Sequence, residues 1–208
     1  MKAFSAHHFD SGKATTQLDE FGQLLKSKSD LSELNDILPF FKARTDLSAL
    51  LGAMTGEIVE FNRLAHEFNV FGDFSCDLAI GDSTRYAYCF IEFEDAREAS
   101  VFRKCGKKNT LEWGQRFEHG QSQIIDWLWK LDDNKQTANF RKIFGNNEIQ
   151  SIALLIVGRD LYVTDQERFR WRSTHVVIGH TKLYAYTYDQ IFNALSAKLQ
   201  FYRAMSSV

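Results

Sequence analysis

The sequence predicts a mixed α/β (α+β) fold, a central sheet with helices on its faces. Three observations carry this. Residues 73–94 read as a β-hairpin whose second arm is apolar throughout. The run IQSIALLIV at 149–157 is short, continuous and apolar, as a strand buried on both faces must be. Amphipathic helical spacing stands before the hairpin, between it and that run, and again at the C-terminal end.

At 208 residues, with 44% hydrophobic and 14% aromatic content, the chain can bury one sizeable core. Eighteen Phe against three Met predict that this core is rigid. The single proline, Pro39, argues against proline-rich linkers. No apolar run approaches a membrane span, and no apolar segment marks an N-terminal secretion signal, so a cytoplasmic protein without membrane contact is expected. Cys76, Cys89 and Cys105 lack metal-ligand spacing, and the first two are expected as reduced core thiols. A formal net charge of -2 gives no global attraction to nucleic acid, so any DNA contact must come from a local basic patch.

Residues 1–16 show no periodicity, and the His7–His8 pair reads as a solvated terminus with metal binding as the alternative. Leu18, Phe21, Leu24 and Leu25, then Leu31, Leu34, Ile37 and Leu38, predict two helices interrupted near residues 26–30, with Pro39 ending or bending the second. A short helix is expected over 47–54. Thr55 is expected to open another, burying Ile58, Val59, Phe61, Leu64, Ala65 and Phe68, with Glu57 and Glu60 near one another on it. In the hairpin, Gly81-Asp82-Ser83 supplies turn chemistry, and the arm over 86–93 runs out on Glu92-Phe93-Glu94. A period of two places Glu92 and Glu94 on one face and Phe93 on the other. Two crowded carboxylates at the end of a buried strand cost stability unless a cation joins them.

Lys104, Lys107 and Lys108 cluster around Gly106, as a solvated loop or a phosphate contact. Residues 117–131 predict a helix bearing Gln121 and Gln123 beside His119. Residues 167–173, ERFRWRS, alternate as a strand would, putting Arg168, Arg170 and Arg172 on one face. That face reads as a charged edge or as a DNA contact. Further strands are expected at 176–178 and 182–187, and a closing helix at 188–202. No Walker A loop, GxGxxG after a strand, zinc-type Cys/His cluster or nucleophile elbow occurs, so no organic cofactor is expected.

The order of elements and their acids resembles the PD-(D/E)XK nuclease fold. Asp77 matches its first acidic position and Glu92 its second, while Glu94 stands where that pattern has lysine. The sequence more closely resembles the C-terminal nuclease domain of Shedu-type (SduA-like) anti-phage defence proteins. The resemblance is carried by the acidic hairpin, EHGQSQIIDWLW, IALLIVGR and YAYTYDQIFNAL, over roughly residues 45–205. It implies residues 1–44 as a small helical extension and 45–208 as the nuclease domain. The implied activity is endonucleolytic cleavage of phage or plasmid DNA with Mg²⁺ or Mn²⁺, in a homo-oligomer. Asp77, Glu92 and the Phe93 backbone carbonyl are the implied metal donors, with Glu60 as an outer one. Glu94 would orient or deprotonate water, and Gln123 would bond phosphate or water. Lys104, Lys107, Lys108, Arg159 and the Arg168/Arg170/Arg172 face are the candidate DNA contacts. A nuclease fold that has lost its chemistry, and binds or regulates, is the competing expectation raised by Glu94.

Overall fold

The computed structural model describes residues 3–172, 176–178 and 181–206, with side chains described over 3–171 and 181–201. A two-residue strand, β1 (Ser5–Ala6), leads to helix α1 (Ser11–Ser27). A π-type turn at Glu33–Ile37 runs into α2 (Leu38–Lys42), followed by α3 (Thr45–Leu50) and a 3-10 turn at Leu51–Met54. Three strands come next: β2 (Arg63–Val70), β3 (Phe74–Asp82) and β4 (Ala87–Phe93). The ribbon of β5 (Phe102–Arg103) and β6 (Glu112–Trp113) precedes α4 (Gln115–Asn134) and α5 (Ala138–Phe144). The chain closes with β7 (Gln150–Ile156), α6 (Asp165–Arg172), β8 (Val176–Ile178), β9 (Thr181–Tyr186) and α7 (Tyr188–Ser206).

Among the described residues one seven-stranded sheet has the order β1-β2-β3-β4-β7-β9-β8. The first four strands pair antiparallel, β4–β7 and β7–β9 pair parallel, and β8 returns antiparallel on the edge. Parallel neighbours need a crossover, which α4 with α5 provides between β4 and β7. Both sheet faces are covered. Leu78, Ile80, Cys89, Ile91 and Phe93 point into a core shared with α1, α2, α3 and α7, whereas Ala79, Tyr88, Phe90, Ala153 and Leu155 face α4 and α5. Burial on both faces explains why β4 and β7 read as unbroken apolar runs. The expected helix-flanked mixed sheet is therefore the observed one. No helix among the described residues is long and apolar enough to cross a membrane.

Four local expectations are corrected. The first helix begins at Ser11, before its apolar pattern starts, because Asp10 Oδ1 accepts the Gly12 and Lys13 N–H groups as an N-cap. Residues 29–30 then bend the chain out of the helix, Leu31 bridges Ala96, and Pro39 starts α2 instead of ending a helix. The predicted helix from Thr55 is a loop followed by β2. Leu64 packs on one sheet face and Ala65, Phe68 and Val70 on the other, with Glu67 at a φ of 52° between them. That reversal of the alternation yields apolar spacing that imitates a helix. The predicted ERFRWRS strand is helix α6, opened by a reciprocal capping box. The Thr164 N–H donates to Glu167 Oε2 at 2.8 Å, and the Glu167 N–H to Thr164 Oγ1 at 3.4 Å.

The described part of the N-terminal segment, residues 3–44, packs into the main core: Ala14, Leu18, Phe21 and Leu25 of α1 belong to the same buried cluster as residues of β3 and β4. Arg159 fixes this packing. Its guanidinium pairs bidentately with Asp189 at 2.9 and 3.1 Å and donates to the carbonyls of Leu25, Lys28 and Ser29, capping α1. Arg159→Met should lower unfolding stability by roughly 3–5 kcal/mol, since it strands a carboxylate and several carbonyls. Urea denaturation of the two proteins measures it.

Candidate active site

The C-terminal end of β4 concentrates charge in the apolar interior. The β3–β4 register pairs Leu78 with Ile91, which sets Asp77 opposite Glu92. Phe93 turns to the other face, stacked on Phe41 at 4.7 Å and on Tyr188 at 6.4 Å. The period-two expectation for these three residues thus holds in space. Asp77 Oδ2 accepts the Phe93 N–H at 2.8 Å, fastening the end of β4 to β3. Glu92 is 5% exposed, and its Oε2 has no hydrogen-bond partner.

This desolvation raises the carboxyls of Asp77, Glu92, Glu94 and Glu33, because burial disfavours the charged form. Burial pushes Glu92 up to about 10, with Asp77, Glu94 and Glu33 adding like-charge repulsion. Asp77 rises to about 6, chiefly through burial, against the lowering effect of the Phe93 N–H. Burial also raises Glu94, while His119 and Arg116 pull it back. Glu33 rises to about 7 through burial and the nearby Glu94 and Asp77.

Helix α4 supplies the partners of Glu94. It approaches the sheet at Gly120, where an added Cβ would lie 2.4 Å from Leu155 Cδ1 and 3.1 Å from Glu94 Cγ. That close approach puts His119 Nδ1 2.6 Å from Glu94 Oε1 and Arg116 Nη1 3.3 Å from Glu94 Oε2. The same guanidinium reaches Asp95 at 3.2 Å and Glu33 at 3.6 Å. Glu33 arrives from the N-terminal segment through the Leu31–Ala96 bridge and its own N–H, which donates to Asp95 Oδ1 at 2.8 Å. Gln123 is half-buried on α4, one turn beyond His119.

Can these residues hold a divalent cation? Among the described residues no group of three or more His, Cys, Asp or Glu side chains converges as a ready metal cage. Glu94 is committed to His119 and Arg116. What remains is Asp77 and Glu92 face to face, with a buried, unpartnered Glu92 oxygen and the Phe93 carbonyl between the two glutamates. A small number of hard oxygen donors suits Mg²⁺, which keeps several of its waters. The residues fit such an ion.

The structure disperses other predicted site residues. Glu60 lies by the β3–β4 turn, its carboxylate accepting from Asn62 and Thr84, and its N–H donating to Asp82. That is five register positions from the Asp77 end, about 17 Å away, so Glu60 is not an outer ligand. Glu33 is the acid from the preceding segment that reaches the site. Arg159 is buried in its structural role, not presented to DNA. Arg168 holds the Asp160 carboxylate and carbonyl, and Arg170 bonds the Leu111 carbonyl beneath the rings of Phe102 and Trp113. Neither forms the expected arginine face, and the Arg172 side chain lies outside the described residues. Lys104, Lys107 and Lys108 are exposed in the loop joining β5 to β6, with Lys108 paired to Glu112. Arg116, Asp95 and Glu33 escaped the sequence reading. Arg116 carried one usable signal, its position three residues before His119 on a helix whose Gly120 marks a close approach.

A mixed sheet covered by helices on both faces, with an acid-bearing hairpin beside a central parallel strand, is an α+β fold consistent with that of nucleases. The family model described as Shedu protein SduA, C-terminal, matches residues 30–192, and the chain belongs to that family. The match includes Glu33 and the bridge that brings it to the site. No curated protein matches the chain.

Glu92 holds its proton in the folded protein where the unfolded chain has lost it, between about 4.5 and about 10. The stability tied to the protonated form is complete below 4.5 and declines as pH rises toward 10. In EDTA at pH 8, Glu92→Gln should therefore raise stability by roughly 1–3 kcal/mol, the scale of one relieved buried polar group. The gain should shrink toward pH 4.5, as thermal unfolding across pH will read.

Proposed function

We propose that this chain is a metal-dependent DNA endonuclease acting in bacterial anti-phage defence, hydrolysing phosphodiester bonds. The observation that carries the reading is the Asp77–Glu92 pair at the end of β4, with one glutamate oxygen buried and unpartnered. Membership of the Shedu family and the nuclease-like fold support it. Asp77 and Glu92 would hold Mg²⁺, or Mn²⁺ in its place, with the Phe93 carbonyl as a third donor. When bound, the ion lowers the pKa of a water and offsets charge at the scissile phosphate.

The chain's own residues do the remaining work. Asp77 keeps the end of β4 in place through the Phe93 N–H, so the Glu92 carboxylate cannot swing out to solvent. Arg116 brings a fixed positive charge to a motif that has Glu94 in place of lysine. Gln123, one turn beyond His119, supplies an amide for a phosphate oxygen or a water. Lys104, Lys107 and Lys108 lie on the ribbon between β4 and α4, both of which frame the site, and form the basic patch for the DNA backbone. We assign the protein to the cytoplasm on its free buried thiols Cys76 and Cys89, and to a homo-oligomer on the strength of the family resemblance.

A second reading has one observation in its favour: Glu94 is tied up by a hydrogen bond with His119 and an ion pair with Arg116. In that reading the chain keeps the fold as a DNA-binding, regulatory or assembly module. Metal titration separates the two, since a catalytic site binds Mg²⁺ or Mn²⁺ through Asp77 and Glu92. Cleavage of plasmid and linear DNA with each metal should be lost in Asp77→Ala and Glu92→Ala proteins that remain folded. Unchanged cleavage by both variants removes these residues from the mechanism.

A further inference from the structure

The Glu94 side chain is 1% exposed, whereas the His119 ring it bonds is 58% exposed. A buried carboxylate holding the inner nitrogen of an outward-facing imidazole is an orienting arrangement. Arg116 at the other oxygen helps keep Glu94 an acceptor, so Nδ1 carries the proton in that bond. The outer nitrogen, Nε2, then presents its lone pair away from Glu94. Glu94 itself is poorly placed to take a proton from water, because both its oxygens are engaged and its side chain is enclosed. Glu94, which carries the imidazole, shares a strand face with Glu92, the two repeating about 7 Å apart along β4.

We propose that His119, oriented by Glu94, is the proton acceptor for the attacking water, in the position that the motif's lysine leaves vacant. This deepens the endonuclease reading and rests on it. In the step, an O–H bond of water breaks and its proton goes to His119 Nε2 while the water oxygen bonds to phosphorus. The P–O bond to the leaving sugar oxygen breaks, and that oxygen takes a proton from solvent. His119 then returns its proton to solvent. One water is consumed, and a phosphate monoester end and a hydroxyl end result. Glu94 is a positioning residue here, acting through the ring.

The test uses the full chain with Mg²⁺ and a defined duplex. His119→Ala should lower kcat by about 10²–10⁴-fold, the usual share of a general base, with KM and DNA affinity changed less than about threefold. Added imidazole should restore a measurable part of the lost rate. His119→Asn, which keeps a donor toward Glu94 but offers no basic nitrogen, should stay as slow as His119→Ala. Glu94→Gln should lower kcat without gaining from imidazole, since its ring is still present. A folded His119→Ala or His119→Asn protein with wild-type kcat overturns the inference. So does a loss confined to KM, or a slow His119→Ala protein that imidazole fails to help. If wild type cleaves and Glu92→Ala does not, such a result leaves the endonuclease reading standing. Wild type that cuts no DNA with either metal overturns both.

Discussion

The structure depends on keeping the end of β4 immobile while it carries charge through the interior. Left to itself, Glu92 would drag its strand toward water, because a desolvated carboxyl costs more than the few contacts around it return. Fastenings from several sides prevent this. Asp77 takes the Phe93 N–H, the Glu94 N–H donates to Ile156 O at 2.9 Å, and the Tyr188 hydroxyl donates to the Glu94 carbonyl at 2.8 Å. Phe93 itself is sandwiched between Phe41 and Tyr188. These partners come from β3, β7, α7 and α2. The sheet order, with β4 flanked by β3 and β7, thus puts the strained carboxyl where the most backbone is available to restrain it.

A second knot of charge lies behind the first and serves packing alone. Asp189 at the start of α7 takes Arg159 and the Asp160 N–H, while Asp160 accepts from Thr187 and Gln190 and holds Arg168. Because Arg159 also caps the last turn of α1, this knot joins α1, the loop after β7 and α7. In this cluster every Arg159 nitrogen and both carboxylates are bonded, which makes it expensive to disturb. Its two carboxylates are matched by a guanidinium each, whereas the Glu92 carboxyl faces a second acid.

The sequence made most of the sheet legible. β3, β4 and β7 show themselves as apolar runs because they are buried on both faces, and α4 and α7 by their spacing. β2 was hidden, since positive φ at Glu67 breaks the alternation by which a strand is read. α6 was hidden by an accidental Phe/Arg alternation, although the Thr164–Glu167 capping box was there to be read. So was α5, which Thr137 caps and Gly145 ends at a φ of 81°. Of the site, Asp77, Glu92 and Glu94 were legible because they sit on one hairpin, where period and register fix relative position. Glu33 and Arg116 were not. Their meeting depends on the Leu31–Ala96 bridge and on how closely α4 approaches at Gly120, which are tertiary contacts without a local pattern. Gly81, expected to turn the hairpin, lies instead in β3, where a Cβ would meet the Tyr88 ring at 2.6 Å. Asp82 makes the turn through the Thr84 and Arg85 N–H groups.

The charge balance at the end of β4 bears on the order of events that the proposed chemistry requires. Asp77, Glu92, Glu94, Glu33 and Asp95 crowd the region, and Arg116 pairs directly with the last three of these. The Asp77–Glu92 pair is the part that Arg116 leaves unmatched. A DNA phosphate approaching that pair would meet repulsion in a low-dielectric setting, where charge is weakly screened. Protonation relieves the strain at neutral pH, since Glu92 is pushed up to about 10, but a protonated acid is a poor ligand for a cation. In the proposed cycle, then, a divalent ion must displace that proton before or together with DNA binding. Moving the fixed positive charge from the strand to Arg116 on α4 fits this requirement. Arg116 is spent on Glu94, Asp95 and Glu33, so the Glu92 oxygen is left for the ion.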